Sequence, residues 1–159
     1  MIQGLAGEVP ILESVARAGL RLAISAILGA IIGIQRERTG KAAGLRTHML
    51  VAMGATLFVL VPAEMGMAVP DITRVIQGIA TGIGFIGGGA ILKLTTEREV
   101  RGLTTAAGIW MTAAAGVAVG LGHAAIATVA TVMAWIILAV VGRVEARVEK
   151  HPRGPGEKR

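Results

Sequence analysis

Two short polar segments carry most of the side chains that could do chemistry in this chain. Residues 36–48 read RERTGKAAGLRTH, and residues 94–106 read LTTEREVRGLTTA. Both contain the pattern Gly-Leu-x-Thr, in which the glycine permits a tight turn and the threonine can cap a helix that begins just after it. Exposed amides at a helix N-terminus, together with arginines, favour an anion. The candidate ligands are a phospholipid head group, a phosphate or an acidic partner protein.

The candidate functional residues of these two segments lie on one face of the protein, which we predict to be cytoplasmic. Glu37 is best interpreted as a salt-bridge partner that locks its segment, in preference to a catalytic acid. The arginines have a simpler alternative role, because basic residues beside apolar runs also set membrane orientation. The candidates are Arg36, Glu37, Arg38, Arg46, Thr47, Arg101, Thr104 and Thr105.

A glycine-rich run supplies a second set of candidates. Small residues four apart let helices approach closely, so this run favours helix packing; the alternative is a broken helix whose carbonyls line a cation path. Asp71, in a predicted outer loop, is the one candidate metal ligand, for Mg²⁺ held through water. The glycines are Gly78, Gly82, Gly84, Gly87, Gly88 and Gly89.

Other classes of function find little support. The chain has no cysteine, which excludes thiolate metal sites and thiol nucleophiles. No Ser-His-Asp spacing, HExxH or phosphate loop is present, so we do not expect an enzyme. Mg²⁺ is the only cofactor under consideration. The net charge of +6 does not indicate nucleic acid, because the basic residues cluster between apolar runs.

The elements that position these residues are predicted to be membrane-spanning helices. Hydrophobic residues make up 53% of the chain and charged residues only 16%, far from the roughly 25% charge of a soluble domain. We therefore predict an all-α integral membrane protein with five transmembrane helices. A short extracytoplasmic N-terminus (1–11) precedes the membrane domain (12–142), and a basic tail (143–159) follows it. The predicted spans are about 12–35, 48–61, 75–92, 103–121 and 124–142.

The distribution of basic residues predicts the topology. The connectors after the first and third spans and the tail are rich in lysine and arginine, whereas the other two connectors contain only Arg74. The positive-inside rule then places the N-terminus outside and the C-terminus in the cytoplasm. We expect contact with the lipid bilayer, and the small-residue faces further suggest a homo-oligomer.

An internal repeat is also suggested by the sequence. A shift of 58 positions superimposes Gly44 on Gly102 and Thr47 on Thr105 without gaps. The two halves would be parallel hairpins, spans 1–2 and 3–4, with the fifth helix packed outside them.

Three segments, GIQRERTGKAAGLRTHMLVAMGA, DITRVIQGIATGIGFIGGGAIL and VRGLTTAAGIWMTAAAGVAVGLG, closely resemble the MgtC/SapB family of bacterial inner-membrane proteins. The resemblance implies five spans and a role in adaptation to Mg²⁺ limitation or envelope stress, exerted through protein or lipid contacts. Two alternatives stay open: a Mg²⁺ or small-ion transporter or channel using the third helix, and a structural membrane oligomer. The short tail favours the SapB-like branch, and Gln35 stands where the family usually has glutamate.

Overall fold

The computed structural model describes residues 2–94 and 99–142, and these form a bundle of five helices. The bundle confirms the predicted helical class. A π-helical segment, Ile137–Val141, continues the last helix without a break. The helices are α1 Ile2–Arg38, α2 Leu45–Glu64, α3 Val69–Gly89, α4 Leu103–Gly120 and α5 Ala124–Ile136.

Four segments of the described residues are long and apolar enough to cross a membrane: Leu12–Arg38, Leu45–Glu64, Leu103–Gly120 and Ala124–Val141. They make this a membrane protein in contact with lipid. Helix α3 has 21 residues, about the length needed to cross a bilayer, but it is not among the four. Its many glycines and the polar Asp71, Arg74 and Gln77 reduce its hydropathy. Four of the five predicted spans are therefore confirmed, and the third stays a prediction.

Glycines allow the central helices to approach closely. A Cβ added at Gly29 or Gly33 of α1 would lie within 3.0 Å of the α2 backbone, at His48 or Leu45 respectively. On α4, a Cβ at Gly116 would collide with the carbonyl oxygen of Ala52, also in α2. Helix α2 is thus held between α1 and α4 at distances that only glycine permits.

The apolar core lies where α1, α4 and α5 meet. Leu28, Ala115, Val119 and Ala127 form a buried cluster there, and all are 5% exposed or less. At the far end of α4, the Arg21 side chain donates a 3.1 Å hydrogen bond to the carbonyl oxygen of Gly120. This contact satisfies a free carbonyl at the end of α4. Arg21, which lies within the predicted first span, therefore faces protein and not lipid.

Some element boundaries differ from the predicted ones. Helix α1 begins at Ile2, so the N-terminal segment 2–11 is helical. Pro62 was expected to end the second span, but it lies inside α2, which continues to Glu64. A proline near the end of a helix removes only one hydrogen bond, and the chain leaves α2 at Gly66, where φ is +72°. The predicted tail, 143–159, lies outside the described residues.

The two polar connectors have different shapes. The first is a short loop after α1 that turns at Gly40, where φ is +66°. The second contains two short antiparallel strands, β1 Leu92–Leu94 and β2 Glu99–Arg101, with Leu92 opposite Arg101. The repeat stays a prediction, because α2 and α4 begin 58 residues apart as expected but the segments before them do not share one conformation.

Candidate functional site

Arg36 joins the two connectors. It lies in the last turn of α1 and is only 3% exposed. Its Nη2 atom donates a 2.8 Å hydrogen bond to Oγ1 of Thr105, in the first turn of α4. The helix before the first connector, α1, is therefore in direct contact with the helix after the second connector, α4. We call the eight candidate residues at this end of the bundle the connector surface. They are Arg36, Glu37, Arg38, Arg46, Thr47, Arg101, Thr104 and Thr105.

The buried arginine is incompletely paired. Within the described part of the chain, its Nε atom has no hydrogen-bond partner. Removing a guanidinium from water costs several kcal/mol unless its donors are satisfied, so an unpaired one requires an explanation such as a bound water or an incoming acceptor. Thr105 supplies a neutral oxygen, which stabilises the position of Arg36 without neutralising its charge.

His48 lies beside Arg36 and is completely buried. Although His48 lies at the start of the predicted second span, it is not exposed at the membrane surface, because the first turns of α2 are covered by α1 and α4. His48 Nδ1 is 2.9 Å from the carbonyl oxygen of Gly44, which can only accept, so Nδ1 carries the hydrogen. Nε2 is without a partner among the described residues and faces Gly108, where an added Cβ would be 3.6 Å away.

Glu37 stabilises the start of α2. Its Oε2 atom accepts a 2.7 Å hydrogen bond from the backbone N–H of Leu45. Glu37 was expected to form a salt bridge within its connector. The contact that the structure shows is instead with a backbone amide. A carboxylate at a helix N-terminus also interacts favourably with the helix dipole.

The two threonines do not cap their helices. The N-cap positions of α2 and α4 are Gly44 and Gly102, and neither makes a side-chain capping bond. Thr47 and Thr105 are the third residues of the helices, since each helix begins directly after the glycine. The predicted capping role is wrong for this reason, and in its place Thr105 binds Arg36.

The two glycines of the repeated pattern are needed for different reasons. Gly102 has a φ of +99°, and a Cβ there would collide with the carbonyl oxygen of Ala90 at the end of α3. Gly44 has an ordinary φ of −103°, but a Cβ would lie 2.7 Å from Oε2 of Glu37. Gly102 thus makes the expected tight turn, whereas Gly44 makes room for the Glu37 contact.

The remaining members of the connector surface are open to solvent or lipid head groups. Arg38, Arg46, Arg101 and Thr104 are exposed, and Thr47 is half-buried. Arg101 ends strand β2 and already has an interaction within the protein. The structure therefore brings together a buried pair, Arg36 and Thr105, beneath a set of exposed cations.

The glycine-rich run behaves differently from the glycines of α1 and α4. Helix α3 is continuous to Gly89, so the glycines end the helix and do not break it midway. Only Gly87 packs closely, with an added Cβ 3.5 Å from that of Ala106 in α4. The other five would meet no atom within 4 Å: Gly78, Gly82, Gly84, Gly88 and Gly89.

Asp71 is placed in the first turn of α3, away from the connector surface. Its Oδ1 atom accepts a 2.7 Å hydrogen bond from Arg74, whose side chain is exposed, whereas that of Asp71 is partly buried. Among residues 2–94 and 99–142, no group of three or more His, Asp or Glu side chains could hold a metal ion. Asp71 as a Mg²⁺ ligand stays a prediction.

Gln35 was not among the candidates. Its Nε2 atom donates a 3.2 Å hydrogen bond to the carbonyl oxygen of Leu138, in the π-helical segment. Its buried Oε1 atom has no partner in the part of the chain that the structure describes. A polar amide inside an apolar helical stretch, one position before Arg36, is the sequence signal that could have identified it.

The chain is similar to several longer proteins. The chain is 45% identical over 113 residues to SrpB of Synechococcus elongatus, covering 64% of this chain and 62% of SrpB. It is 39% identical over 137 residues to YhiD of Escherichia coli K12, provisionally named a magnesium transporter, covering 81% of this chain and 62% of YhiD. It is 38% identical over 141 residues to MgtC of Salmonella typhimurium LT2, covering 88% of this chain and 59% of MgtC.

The chain thus spans about three fifths of the length of these curated relatives. No solved structure matches it. The profile of the MgtC family matches residues 22–147, which include the connector surface, all of α2 to α5 and the buried Arg36–Thr105 pair. The chain therefore belongs to the MgtC family.

Proposed function

We propose that this protein is a non-enzymatic protein of the bacterial inner membrane that supports adaptation to Mg²⁺ limitation or envelope stress. It acts through contacts of the connector surface with a membrane protein partner or with anionic lipid head groups. The basic connectors face the cytoplasm in this proposal, in accordance with the positive-inside rule. The names of YhiD and MgtC support the link with magnesium, since both relatives match most of this chain.

The hydrogen bond between Arg36 and Thr105 carries the proposal. It holds the first turn of α4 against the last turn of α1, so that the two connectors present one joint surface. Arg38 and Arg46 are exposed on this surface and their charges are available to an anionic partner. Arginine binds carboxylate and phosphate in a planar, bidentate geometry, which gives such a surface directional specificity.

The test is complementation of growth at low Mg²⁺ in a bacterial strain that lacks its own member of the family. Arg46→Gln and Arg38→Gln, each in protein shown to insert and fold, should reduce growth and partner binding. Arg74→Gln is the matched control, because Arg74 is also exposed but lies in the first turns of α3. Unchanged growth and binding in both connector variants would overturn the proposal.

Ion transport is the second candidate, and the uncovered surface of α3 is the observation that favours it. A Cβ added at five of its glycines would lie more than 4 Å from any described atom outside the helix, so the helix is not packed into the bundle as closely as α2 and α4. Proteoliposomes loaded with a Mg²⁺-sensitive dye decide between the two, since only a transporter raises the signal above that of empty vesicles. The same surface could serve a structural oligomer, which crosslinking in membranes would detect.

A further inference from the structure

A groove between α2 and α3 is a feature that the proposed function does not use. Its volume is about 660 Å³, within the roughly 300–1,000 Å³ of ligand pockets in proteins. Every lining residue is aliphatic, aromatic or glycine. The wall from α2 consists of Leu50, Val51, Gly54, Ala55 and Phe58, and the wall from α3 of Val75, Gly78, Ile79, Gly82, Ile83 and Ile86.

Glycines keep the groove open. A Cβ added at Gly54, Gly78 or Gly82 would meet no atom within 4 Å. These positions differ from Gly29 and Gly116, where the α2 backbone fills the space. The described part of the chain therefore does not fill the space above these glycines. The atoms that line the groove can gain dispersion energy only from another molecule that occupies it.

The length of the groove matches one leaflet of a bilayer. At 1.5 Å per residue, the wall from Leu50 to Phe58 is about 12 Å long and that from Val75 to Ile86 about 16 Å long. Half of a hydrocarbon core is about 15 Å thick, whereas a partner's transmembrane helix would need roughly 30 Å. The groove also begins near the connector surface, with Leu50 in the second turn of α2 and Ile86 in the last turn of α3.

A positive charge lies at the connector end of the groove. Arg46 is exposed in the first turn of α2, four residues before Leu50 and therefore on the same side of the helix. Glu37 already occupies the backbone N–H of Leu45, so the charge available here is that of Arg46. The groove is apolar, is as long as one leaflet and has a cation at its polar end. In length and in the position of its charge it therefore complements an anionic phospholipid.

We propose that the groove between α2 and α3 binds one acyl chain of an anionic phospholipid, whose phosphate group contacts Arg46. The acyl chain fills the space above Gly54, Gly78 and Gly82. The lipid then joins α3 to α2 where their side chains leave a gap. The proposal rests on the proposed function only through Arg46, because the groove itself lies outside the connector surface.

Native mass spectrometry of the full chain, released from nanodiscs of equal parts phosphatidylglycerol and phosphatidylcholine, tests this. The wild type should retain one phosphatidylglycerol. Gly82→Leu fills the groove and should reduce retention roughly fivefold or more, equivalent to about 1 kcal/mol. Gly84→Leu is the matched control, since Gly84 is also exposed with no atom within 4 Å but does not line the groove. Equal retention in both variants overturns the proposal.

The charge of the head group is tested separately. Arg46→Gln should leave lipid retention in place but remove the preference for phosphatidylglycerol. Arg74→Gln, in the first turns of α3 and outside the connector surface, should keep that preference. A preference that survives Arg46→Gln would contradict the head-group contact. If Gly82→Leu instead abolishes crosslinking between two copies and leaves lipid retention unchanged, the groove is a helix interface and the lipid proposal fails. Growth at low Mg²⁺ is not a readout in either experiment, so a failure here is distinct from a failure of the proposed function.

Discussion

Arg36 and Thr105 are 69 residues apart in the sequence and are joined by a buried 2.8 Å hydrogen bond. The bond connects the last turn of α1, just before the first connector, with the first turn of α4, just after the second connector. This side-chain contact helps to hold together two polar connectors whose conformations differ.

Loss of the Thr105 hydroxyl should destabilise the protein. Thr105→Val keeps the side-chain shape but leaves a second donor of the buried Arg36 unpaired, at a cost of about 1–3 kcal/mol. The thermal unfolding temperature of the purified protein in detergent should fall. Thr105→Ser retains the hydroxyl and should remain close to the wild type, and a valine variant as stable as the serine variant would contradict the assigned role.

Gly102 should tolerate no side chain. In Gly102→Ala the new Cβ meets the carbonyl oxygen of Ala90, in addition to the strain of a left-handed φ of +99°. Gly40→Ala isolates the strain alone, because Gly40 also has a positive φ but has no atom within 4 Å. We expect about 1 kcal/mol for Gly40→Ala and clearly more for Gly102→Ala, measured as the loss of folded protein on heating. Equal effects would mean that the Ala90 contact is unimportant.

Glu37 should protect the first turn of α2. Glu37→Ala removes the acceptor of the Leu45 N–H and should cost about 1 kcal/mol, as loss of a helix cap does. Hydrogen exchange resolved to the peptide level should show faster exchange at the start of α2 and no change in α5. Glu13→Ala, at an exposed position of α1, serves as the control. Unaltered exchange near Leu45 would show that the carboxylate is dispensable.

Close approach of α4 to α2 should depend on Gly116. Gly116→Ala places a methyl group against the backbone carbonyl of Ala52 and should destabilise by about 1–3 kcal/mol, the usual cost of overpacking. Gly19→Ala, also within a helix but with no atom within 4 Å, should be neutral or slightly stabilising. Unfolding of the two variants in the same detergent provides the comparison, and an unaffected Gly116 variant would place α4 farther from α2.

The positions of the helices could largely be predicted from the sequence. Apolar runs bounded by basic residues predicted the helices. The repeated Gly-Leu-x-Thr pattern indicated where α2 and α4 begin, but these helices start directly after the glycines, at Leu45 and Leu103, and not after the threonines as expected. These signals are local: they depend on the hydropathy of a window and on the turn that a glycine allows.

Contacts between distant residues could not be read in this way. Thr105 was assigned to capping because its sequence neighbours suggest it, whereas its partner Arg36 is brought close only by the crossing of α1 and α4. Glycine spacing likewise marks a small face but does not say what covers it. Gly116 meets the backbone of α2, and Gly82, with the same spacing to its neighbour, faces open space.

The π-helical segment Ile137–Val141 changes which residues face the bundle. Ala127 and Thr131 are buried four residues apart, and the next buried position described is Ala139, eight residues later. In a regular α-helix, Ala139 would be rotated by roughly 80° from Thr131 about the helix axis. The wider turn acts as a correction of phase that keeps one stripe of α5 directed inward. The Leu138 carbonyl, which accepts the Gln35 hydrogen bond, lies in this segment, so a one-residue deletion here would rotate the helix and disturb that contact as well.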